Sequence, residues 1–159
     1  MTDFAEDVER FLASFSPDET AVMRYAFRAI LEGAPATITD LLVGTGLPRR
    51  ATDEATQRLL ERGTLVEEAG RITGARGLSL TETPHRLTLD GSPRYAFCAV
   101  DAVGIPVGLG VNAVVDSRCH HCSRPVQLEI YGGTIVDAPP GLVIWAVERD
   151  LTRSLRAHT

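Results

Sequence analysis

The stretch YAFCAVDAVGIPVG, residues 95–108, decides how this chain is read. It is apolar almost throughout, yet it carries a thiol, Cys98, and a carboxylate, Asp101, three positions apart. The run over 95–104 predicts a helix that Pro106 ends, because proline has no N–H to give to a helix interior. Residues three apart share a helical face, so the thiol and the carboxyl would meet. Burial disfavours both charged forms and raises both pKa values, which leaves a proton to be shared between sulfur and carboxyl. Such a pair has a chemical use: sulfur binds a soft metal, and the acid delivers a proton to whatever the metal holds. The plainer reading is an ordinary buried cysteine beside an acid that caps or pairs locally.

Toward the amino terminus the pattern is helical. Over residues 3–15, Phe4, Val8, Phe11, Leu12 and Phe15 fall on one face with acids and Arg10 opposite. The tetrad SPDE at 16–19 combines a serine cap, proline at the first helical position and glutamate at the third, and so predicts a second helix, to about Glu32. Gly33 and Pro35 stop it. A short helix over 39–44 and another from Pro48 to Arg62 complete the set. After Gly63, the runs TLVEE, RIT, LSLTE and HRLTLD are short, rich in β-formers and broken by glycine, as hairpin strands are. Beyond Pro106, strands are expected at about 111–116, 125–131, 133–137 and 142–148, with a closing helix at 150–157. The expected fold class is α+β: a winged-helix-like helical lobe, residues 1–70, packed on a small mixed β-sheet lobe, residues 71–159.

Composition narrows the function. All sixteen basic residues are arginine, so no mechanism that needs a lysine applies. Arg49, Arg50, Arg58 and Arg62 would lie on the recognition helix of a DNA-binding winged helix. Residues 1–70, however, hold seven arginines against thirteen acids, a net of −6, and DNA affinity is mostly phosphate neutralisation. DNA is therefore not the expected partner. No apolar run approaches the roughly eighteen residues of a membrane span. The start, MTDFAEDVERF, carries acids where a secretory signal carries positive charge, so a cytoplasmic location is expected. Three cysteines are too few for a disulfide framework and read as reduced thiols.

Over residues 65–148, GLSLTETPHRLTLDGSPRYAFCAVDAVGIPVGLG, VVDSRCHHCSRPVQLEI and VDAPPGLVIWAV together resemble the alkylmercury (organomercurial) lyase family. The resemblance places Cys98 on the family's first catalytic cysteine, Asp101 on its catalytic aspartate and Cys119 on a structural cysteine. It implies cleavage of a carbon–mercury bond: thiolates attack the metal and the aspartate protonates the departing carbon. It requires no cofactor, and its partners are a small organometal or metal ion and small-molecule thiols. The family's second catalytic cysteine lies in a later segment that has no counterpart here, which implies a shortened member. The alternative, from another class, is a metal-binding or metal-sensing protein that uses the same cysteines, with a regulator's DNA contact as its extreme form.

Cys119-His120-His121-Cys122 is the second constellation. A CxxC with two intervening histidines offers Zn²⁺ or Hg²⁺ four donors, but four adjacent residues cannot all close on one tetrahedral ion. Cys98, His85 or a partner chain would have to contribute; the simpler reading is a β-turn with exposed histidines. A two-thiolate attack would require Cys98 and one of Cys119 and Cys122 to face a shared cavity. His85 in its strand-like run reads as a surface residue, and Tyr131 and Trp145 as core or rim.

Overall fold

The computed structural model describes residues 4–144. Four helices come first: α1 (Phe4–Ala13), α2 (Pro17–Glu32), α3 (Ile38–Thr45) and α4 (Arg49–Glu61). A hairpin follows, β1 (Leu65–Glu68) and β2 (Arg71–Ala75), then β3 (Leu78–Ser79), β4 (His85–Leu89) and β5 (Ser92–Ala96). Helix α5 (Ala99–Leu109) leads to β6 (Ala113–Arg118), β7 (Pro125–Tyr131) and β8 (Thr134–Asp137). The expected strand at 142–148 shows no regular structure over 142–144 and otherwise lies outside the described residues, as do the helix at 150–157, Trp145 and His158.

Local chemistry sets the helix ends. Ser16 accepts from the Glu19 amide at 3.2 Å while the Glu19 carboxylate accepts from the Ser16 amide at 2.7 Å, a reciprocal capping box that starts α2. Thr37 and Asp40 repeat the device on α3. Glu19 is buried and also accepts from Arg58 Nε at 3.0 Å, tying α2 to α4. Val22, Ala26 and Ile30 from α2, Leu41 from α3, and Ala55 and Leu59 from α4 form one buried cluster with Leu65, Ile72, Leu78, Leu87 and Val115 of the sheet.

The eight strands form one sheet in the order β1-β2-β3-β5-β4-β6-β7-β8. Every neighbouring pair is antiparallel, where a small mixed sheet was expected. The physical reason is the connection through α5. It carries the chain from β5 past β4 to β6, so the two strands that run parallel never pair, with β4 between them. The boundary expected at residue 70 falls in the β1–β2 turn, and both the sheet and the buried cluster run across it.

The segment 95–104 differs from its predicted helix. Ser92–Ala96 is a strand, the helix begins at Ala99, and Pro106 lies inside it rather than at its end. Pro93 is tolerated in β5 because β3 pairs only with Tyr95 and Ala96, leaving that flank of β5 an edge at Pro93. Pro106 is fully buried, so apolar burial offsets the helix hydrogen bond its ring removes, and Gly110 in the left-handed region closes the helix one turn later.

Arg94 of β5 locks the helices to the sheet. It is 8% exposed, and its guanidinium donates to the carbonyls of Ile30 and Leu31, both at 2.8 Å, at the end of α2. A cation there meets last-turn carbonyls, of which Ile30 also accepts from the Gly33 N–H at 3.0 Å, and the negative end of the helix dipole. Gly33 makes the room: its φ is +90°, and a Cβ there would stand 2.6 Å from Arg94 Nη2. Arg94→Met should cost about 2–3 kcal/mol, the scale of losing charge-assisted bonds to buried carbonyls, read as a lower urea midpoint at unchanged slope.

Candidate active site

One end of the sheet gathers the reactive side chains. β5 and β6 both finish there, β4 starts there, and Leu78 beside Gly77 pairs with Ala96. Two residues after Ala96, Cys98 takes an extended conformation, φ −148° and ψ 173°, as the N-cap of α5. Asp101 is the third residue of that helix, in its first turn. The Cys98 thiol donates to Asp101 Oδ2 at 3.1 Å. The two groups therefore meet across a helix start, not along a helix face, because the chain turns from strand to helix at the cysteine.

Both groups are partly buried. Burial first, then the Asp101 charge, pushes the Cys98 thiol above its ordinary pKa; the backbone N–H groups of Asp101 and Val100 act in the opposite direction and do not win. The resting pair is thus a protonated thiol whose hydrogen points at the acid.

The turn before β3 covers the acid. Gly77 has φ +87°, and a Cβ built on it would lie 2.4 Å from the Asp101 carboxyl carbon. Its carbonyl accepts from the Phe97 amide at 2.7 Å, fixing the residue next to Cys98. Gly77→Ala should therefore displace Asp101 and strain the turn, slowing any step that uses the acid roughly tenfold to a hundredfold. The thiol should still react with a mercurial, a contrast readable by thiol titration.

His85 completes the cluster. Its Nδ1 lies 2.7 Å from Ser117 Oγ. Burial holds its pKa below the ordinary value, while the nearby Asp101 charge pulls the other way. The surface reading of His85 is corrected: it is half-buried beside the acid. The signal was in the sequence, since alternation through HRLTL puts His85 on the face of Leu87 and Leu89, both buried.

The CHHC segment caps the β6–β7 hairpin at the same end of the sheet. Cys119 N–H donates to the Arg124 carbonyl and Ser123 N–H to the Cys119 carbonyl, both at 2.8 Å. His120, His121 and Cys122 are exposed and Cys119 is partly buried. Cys98, Cys119, His120, His121 and Cys122 are the candidate metal ligands; among the described residues no three histidine, cysteine or acidic side chains are gathered to hold a metal. β4 separates the ends of β5 and β6, which sets the two segments about 10 Å apart at the strands. An open cleft of about 450 Å³ lies at this end, lined by Pro84, Asp116, Ser117 and Arg118 among others and by none of the cysteines. That cleft does not supply the shared cavity a two-cysteine attack would use.

The arginines of α4 are engaged within the chain. Arg49 binds Asp53 at 3.1 Å, Arg50 binds Glu54 at 2.7 Å and Arg58 binds Glu19 at 3.0 Å. Arg62 donates to Ser14 Oγ at 2.6 Å and stacks over the Phe15 ring at 3.8 Å.

Comparison with known proteins bears on the family. The alkylmercury lyase family model (MerB) matches residues 78–158, which include Cys98 and Asp101. An alkylmercury lyase of Bacillus cereus is 32% identical over 129 residues, 79% of this chain and 58% of that protein. One of Staphylococcus epidermidis is 29% identical over 151 residues, 92% of this chain and 68% of that protein. The crystal structure of the mercury-bound form of MerB2 superposes with a TM-score of 0.88 at 26% identity, covering 94% of this chain and 73% of that one. The chain thus spans 58% of the length of the Bacillus cereus relative. With the family model matched over half the sequence and the fold shared nearly end to end, this chain belongs to the alkylmercury lyase family.

Proposed function

We propose that this chain cleaves the carbon–mercury bond of an organomercurial by thiol capture at Cys98 and protonation of carbon from Asp101. The carrying observation is the 3.1 Å contact from the Cys98 thiol to Asp101 Oδ2. In a solution containing small thiols the substrate arrives as R–Hg–SR′. Cys98 sulfur adds to mercury as its proton passes to Asp101, giving a three-coordinate mercury anion beside a neutral carboxylic acid. The added sulfur loosens the Hg–C bond, and the acid's proton goes to carbon as that bond breaks. The products are R–H, Cys98–S–Hg–SR′ and the Asp101 carboxylate. Mercury keeps its oxidation state, and the proton that began on sulfur ends on carbon.

The small thiol supplies the second sulfur because Cys119 leaves the sheet two strands away from β5. Soft thiolate is the natural ligand for mercury, and an acid held against the sulfur is what carbon protonation needs. Burial disfavours a positive charge on His85 beside Asp101. The reaction needs Cys98 reduced, and all three cysteines are free, which fits a reducing compartment such as the cytoplasm. The test is incubation with an arylmercurial and excess small monothiol, with headspace gas chromatography of the arene. Arene in several-fold molar excess over protein is expected; arene no greater than in a protein-free control would overturn the reading.

A further inference from the structure

We infer that the Cys119–Cys122 turn is a second soft-metal site, one that holds Hg²⁺ between two thiolates and takes the inorganic product of the Cys98 site. The product role rests on the function proposed above; the binding role does not. Two observations carry it. The two cysteines sit in a hairpin turn closed by two 2.8 Å backbone hydrogen bonds, so their spacing is held before any metal arrives. Both are free thiols, Cys119 partly buried and Cys122 exposed.

The donor set also selects the metal. Zinc in a protein takes four ligands, and no third acidic, histidine or cysteine side chain is gathered here among the described residues. Mercury(II) is satisfied by two thiolates in a line, and soft sulfur is its preferred donor. The turn is thus incomplete for zinc and complete for mercury.

Transfer needs no oxidant. A small thiol carries the metal off Cys98 as R′S–Hg–SR′, and the Cys119 thiolate and Cys122 thiol displace both carriers. Two Hg–S bonds break and two form; one carrier leaves as thiolate and the other takes the Cys122 proton. Because the second displacement is intramolecular, the dithiol competes against free monothiols with an effective concentration in about the millimolar range or above. The turn lies at the Cys98 end of the sheet, two strands away.

The test uses the full chain with Cys98→Ser, so that the binding measurement does not depend on lyase activity. Mercuric chloride is titrated in the presence of excess monothiol. One equivalent should bind, both remaining thiols should disappear from a thiol-titrating reagent, and the oligomeric state should not change. Adding Cys122→Ser should weaken binding at least about a hundredfold, the loss of the chelate. Equal affinity with and without Cys122, mercury bridging two chains, or Zn²⁺ binding as tightly as Hg²⁺ would each overturn the site. For the product role, the unsubstituted chain after one turnover should carry mercury on the tryptic peptide that begins at Cys119. Arene release with mercury found only on Cys98 would remove that role and leave the lyase reading intact. Mercury binding by Cys98→Ser without arene from the unsubstituted chain would do the reverse.

Discussion

Cys98→Ser is expected to abolish both capture of an arylmercurial and release of its arene, a loss of roughly 10⁴-fold or more, as when an enzyme loses its nucleophile. A serine hydroxyl is a hard, weakly acidic donor and a poor ligand for a soft metal. The substitution tests chemistry cleanly because it should not harm the fold. Residue 98 is the N-cap of α5 and Asp101 its third residue, and no side chain caps that helix now. Serine at N-cap with an acid at the third position completes a capping box, so the melting temperature should hold or rise. Release that survives Cys98→Ser in a folded protein would end the proposal. In the unsubstituted chain, capture should quicken as pH rises through the elevated Cys98 pKa, because the thiolate is the attacking form.

Asp101→Ala should separate the two halves of the reaction. Mercury is held by sulfur, so capture persists; carbon is protonated by the acid, so arene release should fall by about 10²–10⁴-fold, the usual worth of a positioned general acid. A second readout distinguishes this from a general loss of structure. The Asp101 charge is one of the causes that raise the Cys98 pKa. Removing it should move the pH profile of capture to lower pH. A variant whose release falls while its capture profile stays put would mean that the acid does not face the sulfur in solution.

The helical part was legible for local reasons. The serine, proline and glutamate of SPDE, and Gly33 beyond the helix, act on their own neighbours within a turn, so their effect can be read without the rest of the molecule. The segment 92–104 was not, because its pattern is decided by what lies beside it. SPRYA is a strand since β4 offers it a ladder and the short β3 leaves Pro93 an unpaired flank, and neither fact is local to that segment.

The site divides in the same way. Residue types and the family resemblance pointed to Cys98 and Asp101 and to soft-metal chemistry, because a thiol beside an acid in an apolar run carries its reactivity with it. Folding decided the rest. It set the thiol at a helix start, laid Gly77 against the acid and brought His85 and Ser117 into the cluster from β4 and β6, positions 77 to 117 meeting at one end of the sheet. It also kept the CHHC turn two strands from Cys98, where the sequence allowed the two to share one ion. Reactivity belongs to a side chain and its near neighbours. Convergence of side chains forty residues apart depends on strand order and register, which exist only once the sheet has formed.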